Sequence, residues 1–308
     1  MYMRIRSSTI LICITHILCC SLPAYALPSA NENVDLYRQF RLPSYSSMYT
    51  MAFPSPDRGW SLGERGRMFF YNGSKWEAHT SPTSNQLFSA CFPAAACGWA
   101  VGAAGTILSF NNNSWNTVPF STDWDIMDVF FINEYEGWAV GENSIILHYR
   151  RGAWQEAKAP ILGYLTRVFF TDAANGWAVG NNGLILRYSD NEWKQAPSPT
   201  KENLYGLYLT PKGEGWAVGA YGTILHLADS AWKQHPSPVE NHLLDIHFTK
   251  PQQGWIVGAS GAVLSYKNST WQHKKNSFNK ALYCVTGDAA GNLWLAGKGG
   301  KIFMHAAR

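Results

Sequence analysis

The chain has 308 residues, of which 46% are hydrophobic and 14% are aromatic, and its formal net charge at pH 7 is +4. A chain of this length buries roughly three quarters of its unfolded surface, so it can form a full core without metal ions or disulfides. The nearly balanced charge argues against nucleic acid as a partner, because a phosphate-binding domain ordinarily carries a strong basic excess.

The first 26 residues have the pattern of a secretory signal. Arg4 and Arg6 form a short basic start, Thr9–Cys20 is apolar, and Ala24–Ala26 supplies the small residues that signal peptidase favours. A lipoprotein modified at Cys20 fits less well because bulky residues precede that cysteine. The apolar run is too short for a membrane span. We therefore expect an exported protein, periplasmic or secreted, and lumenal if its source is photosynthetic.

Three cysteines remain after residue 26: Cys91, Cys97 and Cys284. Cys91 and Cys97 flank one short turn, where a disulfide would contribute about 2–3 kcal/mol by the chain-entropy estimate. Two reduced, buried cysteines are the alternative. Cys284 has no partner in the sequence pattern.

A repeat of 39 residues dominates the rest of the chain. Gly-Trp begins at residues 59, 98, 137, 176, 215 and 254, and Leu293-Trp294 is the seventh copy. A second tryptophan follows at residues 76, 115, 154, 193, 232 and 271. Thirteen of the 14 tryptophans belong to these two series, and only Trp124 does not. A side chain repeated in every unit has the same task in every unit, so we interpret all 13 as packing residues and none as ligand-binding.

Each repeat predicts four short strands, here named A to D. In the clearest unit they are Leu204–Leu209, Gly215–Gly219, Thr223–Leu227 and Ala231–His235, with prolines after the last. Strands A to C are apolar on both sides, whereas strand D alternates, which is typical of a radial sheet whose outer strand is half solvated. Four strands in 39 residues predict an all-β, seven-bladed β-propeller over residues 36–308, preceded by a short segment 27–35.

The same repeat predicts how the ring closes. The seventh unit ends after its strand C, and the next tryptophan of the second series would fall beyond Arg308. Counting back 39 residues from Trp76 gives Tyr37, within a segment that resembles strand D of other units. The N-terminal strand should therefore complete the seventh blade and remove two free sheet edges.

The unit Gly-Trp-Ala-Val-Gly-x-x-Gly-x-Ile-Leu, clearest at Gly176–Leu186 and Gly215–Leu225, resembles the photosystem II assembly factor family, whose repeats are related to the BNR or Asp-box type. The resemblance covers residues 36–308 and implies a lumenal or periplasmic protein that holds another protein during assembly. The Asp-Gly-Gly turn usual in that family is shortened here, for example to Ser189–Glu192. No functional residue of the family matches a position of this chain.

Function in a repeat protein is expected where the repeats differ. Trp124 lies in a D–A loop between Asp123 and Asp125, and a tryptophan in a polar loop is either an anchor for a protein partner or a cover over the rim. D–A and B–C loops share one face of the ring. The other candidates on that face, which are expected to bind a partner or to be plain solvated surface, are Tyr164, Tyr221, Arg65, Arg67 and Lys298.

A second candidate region is a column of polar residues in strand A, nine residues before each Gly-Trp. Its members are Thr50, Ser89, Asp128, Arg167, Gly206, Asp245 and Cys284. These residues are expected to line the central channel, with Asp128 and Arg167 forming an ion pair. A water-filled channel with one ion pair is favoured over a binding site.

No enzyme, metal or cofactor motif is present, and a monomer is expected. His148 and His226 occupy one strand-C position in different blades, and sheets packed about 10 Å apart cannot share an ion through bonds of about 2 Å.

A glycosidase needs only two carboxylates, and Asp128 and Asp245 are the first pair to test. The sequence thus favours a non-catalytic protein-binding scaffold. The alternative is a propeller that binds or cleaves a glycan.

Overall fold

The computed structural model describes residues 37–307, which form seven four-stranded antiparallel sheets. The first strand of each blade contacts the first strands of both neighbouring blades, and the first strand of blade 7 contacts that of blade 1. The sheets therefore close into a ring, and the prediction of a seven-bladed β-propeller is confirmed. The predicted signal sequence and the segment 27–35 lie outside the described residues.

The strands follow the repeat in chain order. Their bounds are β1 (Tyr37–Arg41); β2 to β5 in blade 1 (Met48–Ser55, Arg58–Gly63, Met68–Tyr71, Trp76–His79); β6 to β9 in blade 2 (Leu87–Ala94, Cys97–Gly102, Ile107–Asn111, Ser114–Thr117); β10 to β13 in blade 3 (Ile126–Asn133, Glu136–Gly141, Ile146–Arg150, Ala153–Glu156); β14 to β17 in blade 4 (Leu165–Asp172, Asn175–Gly180, Ile185–Ser189, Glu192–Gln195); β18 to β21 in blade 5 (Leu204–Leu209, Gly215–Gly219, Ile224–Ala228, Ala231–Gln234); β22 to β25 in blade 6 (Leu243–Lys250, Gln253–Gly258, Val263–Lys267, Thr270–His273); and β26 to β28 in blade 7 (Leu282–Gly287, Leu293–Gly297, Lys301–His305).

The N-terminal strand completes blade 7, as the repeat predicts. β1 pairs antiparallel with β28, with Tyr37 opposite His305 and Arg41 opposite Lys301. Leu42 extends the junction, because its backbone N–H donates to the carbonyl of Gly300 at 3.0 Å. Both ends of the described chain are thus held in one sheet, which leaves blade 7 without an unpaired edge at β28.

Five of the B–C turns are single 3-10 turns, at Glu64–Gly66, Glu142–Ser144, Asn181–Gly183, Ala220–Gly222 and Ala259–Gly261. Gly222 has φ +70°, and a Cβ there would lie 2.0 Å from the carbonyl oxygen of Val239 in the following D–A loop. Blade 3 has Ser144 at the same position, and its hydroxyl donates to the carbonyl of Ile161 at 2.7 Å. Each B–C turn is therefore locked against the D–A loop beside it, so the two kinds of loop form one continuous face, called here the loop face.

The core lies between blades rather than at the centre of the ring. Tryptophans of the first series pack edge-on against tryptophans of the second series in the next blade, as in Trp138 with Trp193 at 5.6 Å and Trp99 with Trp154 at 5.4 Å. Twelve of the 13 repeat tryptophans are buried, as expected for packing residues. Trp255 is the exception, because it is only partly buried.

Candidate functional site

Every blade has a β-bulge near the start of its first strand. The pairing of strand A with strand B skips one residue at the same point in all seven sheets. A bulge leaves that residue outside the ladder and re-aims its side chain. The skipped residues, called here the mouth ring, are Tyr49, Phe88, Met127, Thr166, Tyr205, Leu244 and Tyr283.

The mouth ring is apolar and lies where strand A leaves the loop face. Six of its members are large and half-buried, whereas Thr166 is buried and donates its hydroxyl to the carbonyl of Leu204. Neighbouring members touch each other, since the ring of Tyr49 lies 6.0 Å from Phe88 and 5.5 Å from Tyr283. Half-exposed aromatic and aliphatic groups gathered near the axis provide a surface for an apolar side chain.

A buried charge network lies one residue further along the same strands. The guanidinium of Arg167 is 3.8 Å from Asp128 Oδ1 in the preceding blade and 3.6 Å from Asp245 Oδ1 two blades ahead. The blade between supplies Gly206, which places no side chain in the path from Arg167 to Asp245. The predicted Asp128–Arg167 pair is therefore present, and it is one half of a three-residue network.

Further hydrogen bonds hold the two carboxylates. Ser89 Oγ donates to Asp128 Oδ1 at 2.6 Å, and the backbone N–H of Val168 donates to Asp128 Oδ2 at 2.9 Å. The backbone N–H of Val285 donates to Asp245 Oδ2 at 2.8 Å. Burial raises the pKa of both carboxyls, and the charge of Arg167 opposes the rise. The network is mostly shielded from solvent. Its charged residues therefore chiefly link strands of different blades.

The predicted partner-binding residues divide into exposed and structural groups. Trp124 is 48% exposed and Tyr221 is 71% exposed. Asp123, Arg65, Arg67 and Lys298 are also exposed on the loop face. These residues are accessible to a partner.

Asp125 and Tyr164 point into the molecule. Asp125 Oδ1 accepts the backbone N–H of Ala104 in the B–C turn of blade 2 at 2.9 Å. The equivalent residues Asn203 and His242 accept backbone N–H groups from the B–C turns of blades 4 and 5, in each case the preceding blade. The Tyr164 hydroxyl donates to the sulfur of Met127 in the mouth ring at 3.0 Å. Burial, followed by the nearby carboxylates of Glu142 and Asp125, raises the pKa of Tyr164 to about 12. Asp125 thus stabilises a B–C turn, and Tyr164 contacts the mouth ring through Met127.

The sequence interpretation missed two exposed residues beside Trp124. Ile161 is 40% exposed and Leu162 is 77% exposed, both in the next D–A loop around the ring. The signal was present, because no other D–A loop contains two adjacent aliphatic residues. Trp124, Ile161 and Leu162 thus place exposed apolar side chains on two consecutive D–A loops of the loop face.

Comparison with known proteins identifies the family. The model for "Photosynthesis system II assembly factor YCF48" matches residues 68–189 and 226–308, which is more than half of the chain. The chain belongs to the YCF48 family. A search of curated protein sequences finds no match.

Solved structures similar to the chain include two of YCF48. One, of YCF48 bound to D1 peptide, is 18% identical and has a TM-score of 0.77, covering 90% of this chain and 98% of that one. The second, YCF48 from Cyanidioschyzon merolae, is 15% identical with a TM-score of 0.71, covering 87% and 98%. A streptogramin B lyase structure is 17% identical with a TM-score of 0.78, covering 87% and 96%. At these identities the likeness shows the fold alone.

Membership of the YCF48 family fits a non-catalytic chain, since its name is that of an assembly factor. The two carboxylates that a glycosidase would use, Asp128 and Asp245, are both engaged by Arg167. Within residues 37–307, no group of three or more metal-ligating side chains is placed to share an ion. In the same range, no helix has the length and hydropathy to cross a bilayer.

The three cysteines within residues 37–307 of this YCF48-family chain are free thiols. Cys91 lies opposite Trp99 in the ladder and Cys97 lies opposite Ala94, so the two are displaced along the sheet. Both thiols are partly buried rather than fully buried. Burial raises the pKa of Cys91 to about 12, which keeps that thiol protonated and unreactive. Burial also raises the pKa of Cys284.

Proposed function

We propose that this chain is an exported, monomeric, non-catalytic scaffold that binds a segment of a partner protein on its loop face. The position of the exposed apolar side chains carries this proposal. Six large hydrophobic residues are exposed within residues 37–307, and only Tyr135 lies at the opposite end of the ring. Exposed apolar groups gathered on one face are typical of a protein interaction site. The five on the loop face are Tyr45, Trp124, Ile161, Leu162 and Tyr221.

The mouth ring gives this face a centre. Its half-buried aromatic residues contact each other and leave part of their surface open to solvent. Hot spots of interfaces are enriched in aromatic anchors surrounded by more polar groups. We therefore place an apolar side chain of the partner over the mouth ring, with its flanking residues towards Trp124.

Acidic and basic residues of the loop face lie in different blades. The acidic residues Asp123, Asp125 and Glu142 lie together beside Trp124 in blades 2 and 3. Lys280, Lys298 and Lys301 line one small pocket in blade 7, which blade 1 separates from blade 2. A partner segment with a basic residue on one side of its apolar anchor and an acidic residue on the other would match this arrangement.

The relatives agree with a peptide ligand. A related solved structure contains YCF48 bound to D1 peptide. By analogy within the family, the present chain would hold an extended segment of its own partner during assembly. The residues that would select that segment are those of the loop face, which differ from blade to blade.

Replacement of Trp124 by alanine should weaken partner binding about 30-fold, which corresponds to the roughly 2 kcal/mol of a hot-spot residue. Folding should be unchanged, because surface substitutions ordinarily alter stability by less than about 0.5 kcal/mol. The partner is first captured by a photo-crosslinking residue at Leu162 in living cells and identified by mass spectrometry. Binding of the purified partner is then measured by calorimetry.

The matched control uses the opposite face. A crosslinker at Tyr135, which is 77% exposed, should yield no adduct with the same partner, and Tyr135→Ala should leave its affinity unchanged. Equal crosslinking at both positions, or unchanged affinity after Trp124→Ala, would refute binding at the loop face. Activity of the purified protein on a panel of glycan substrates would refute the non-catalytic proposal.

Export is tested independently. Cleavage after Ala26 leaves a mature chain that begins at Leu27. N-terminal sequencing of the protein from periplasmic, lumenal or secreted fractions should return Leu27 as the first residue. An intact N-terminus in the cytoplasmic fraction would overturn export, whereas a lipid-modified Cys20 would identify a lipoprotein.

A further inference from the structure

Six of the seven grooves between blades share one way of covering the first-series tryptophan. In these grooves a second-series tryptophan from the next blade meets its ring edge-on, with ring centroids 5.4–5.9 Å apart. A phenylalanine from strand A of the next blade often covers the ring face as well, as Phe131 does for Trp99 at 5.2 Å and Phe170 for Trp138 at 5.2 Å. This arrangement leaves those tryptophans buried.

The groove between blades 6 and 7 lacks this cover. The ring-closing strand has Tyr37 where the other blades have a tryptophan, and Tyr37 packs on Phe278 and His305. Gly287 stands where Phe131 and Phe170 stand in their blades. Both covering residues of Trp255 are thus replaced by smaller or displaced ones, and the ring of His305 lies 6.0 Å from that of Trp255. Trp255 is the one repeat tryptophan that is only partly buried.

A third position opens the groove further. In blades 3 and 4, the strand-C residue paired with the tryptophan lies over its ring: His148 stacks on Trp138 at 3.8 Å, and Arg187 lies over Trp177 at 5.5 Å. In blade 6 this residue is Ser265, which is too short to cover Trp255. Beside these residues lies a cavity of about 570 Å³ with Trp255 and Tyr266 in its wall. That volume lies within the range of small-molecule sites. Cavities of about 700 and 500 Å³ lie beside Trp138 and Trp177, so the chemistry of this wall, rather than its size, sets it apart.

The rest of the cavity wall is rich in amides and cations. Gln252, Gln253 and Asn268 supply amide groups that can both donate and accept hydrogen bonds. The wall also contains three lysines and no carboxylate: Lys250, Lys267 and Lys274. Among the described residues, none of these three lysines forms an ion pair. An uncompensated triple positive charge beside an open aromatic ring favours an anionic ligand.

We propose that this groove binds an acidic saccharide, such as a uronic-acid oligosaccharide. The exposed ring of Trp255 offers a flat apolar surface for the C–H face of a sugar. The amides match its hydroxyl groups, and the lysines attract its carboxylates. An acidic peptide fits less well, because the wall presents no unpaired strand edge to which a peptide backbone could pair. The site is formed by the A–B and C–D turns of blade 6, away from the loop face, and is independent of partner binding there.

The probe is trigalacturonate, with maltotriose as the neutral control. Indole N–H signals of the protein are followed by NMR during titration, and the signal of Trp255 is assigned through Trp255→Phe. We expect trigalacturonate to shift that signal with a Kd of about 1 mM or tighter. Maltotriose should bind at least tenfold more weakly, and added salt should weaken trigalacturonate binding.

Ser265→His tests the groove without adding a permanent positive charge. It reproduces the His148–Trp138 arrangement of blade 3, so the fold should tolerate it, and it should cover Trp255 and lower trigalacturonate affinity at least tenfold. The titration is run at about pH 8, where an imidazole is neutral. Ser265→Thr, which leaves the ring open, should retain affinity within about twofold. Replacing all three lysines by glutamine should abolish the preference for the charged trimer.

Three results would overturn the proposal. These are equal binding of maltotriose, unchanged affinity in Ser265→His, and binding of tetraglutamate as tight as that of trigalacturonate. The last would identify the groove as a site for acidic peptides. None of these results bears on partner capture through Trp124, so this site and the loop face can fail separately.

Discussion

Replacement of Trp138 by alanine is expected to lower the free energy of unfolding by about 3–5 kcal/mol, the cost of removing a large aromatic side chain from a packed core. Trp138 is 2% exposed, and it stacks on Phe170 and meets Trp193 edge-on. Its loss would open a cavity between blades 3 and 4 that neither rigid sheet can fill. Urea unfolding followed by far-UV circular dichroism measures the difference.

Trp255→Ala is the matched control, because it removes the same side chain from the same position of blade 6. Trp255 is partly exposed and lacks both the edge-on tryptophan and the covering phenylalanine. Its loss should therefore cost less than half of the loss at Trp138. Similar losses at the two positions would contradict both the packing account of the repeat and the open groove at Trp255.

Much of the fold could be predicted from the sequence because the ring follows from one repeated set of contacts. The 39-residue spacing predicts seven identical interfaces, and the missing last strand predicts that Tyr37 pairs in blade 7. Strand ends were less accurate. Strand C of blade 5 begins at Ile224 rather than Thr223, because the backbone N–H of Thr223 closes the turn by donating to Ala220.

The candidate site was only partly predictable, because it depends on strand register and on contacts between side chains of different blades. Met127 and Asp128 are neighbours in the sequence, and only the bulge shows that Met127 lies outside the ladder whereas Asp128 pairs with Val140. The bond between Arg167 and Asp245 crosses a whole blade through the space left at Gly206, which no local pattern reveals. Asp125 was grouped with Trp124 for its charge, yet its carboxylate is used in holding a turn.

The interpretation of all 13 repeat tryptophans as packing residues was too broad at one position. It holds for the 12 that are buried. At Trp255 the repeat is intact in its own blade, and the departure lies in the residues that should cover it, Tyr37 and Gly287, which are far away in the sequence. An irregularity in a repeat protein is therefore best sought at both sides of each interface.

Arg167→Met is expected to destabilise the protein by about 3–5 kcal/mol at pH 7, because it leaves two buried carboxylates without their cation. Asp128 and Asp245 come from blades 3 and 6, so the loss would weaken the ring across its centre rather than at one interface. The midpoint of urea unfolding measures this loss. A decrease below about 1 kcal/mol would show that the network contributes little to the closed ring.

The pH dependence of the same variant tests the cause. Burial holds the pKa of both carboxyls above the ordinary value of 3.8 in the folded protein. An acid whose pKa is raised by folding favours the folded state most below its ordinary pKa, and this contribution is lost as the pH rises through the raised value. Without Arg167 both pKa values should rise further. Arg167→Met should therefore regain stability between pH 7 and pH 5, more steeply than the parent protein.

The triple variant Asp128→Asn, Arg167→Met, Asp245→Asn separates charge from packing. It removes all three charges while keeping side chains of similar size, so it should recover much of the stability lost by Arg167→Met. Its stability should also change less with pH between 5 and 7, because neither raised carboxyl remains. If the triple variant is as unstable as Arg167→Met at every pH, the stability that Arg167 provides comes from the packing of its side chain rather than from its charge.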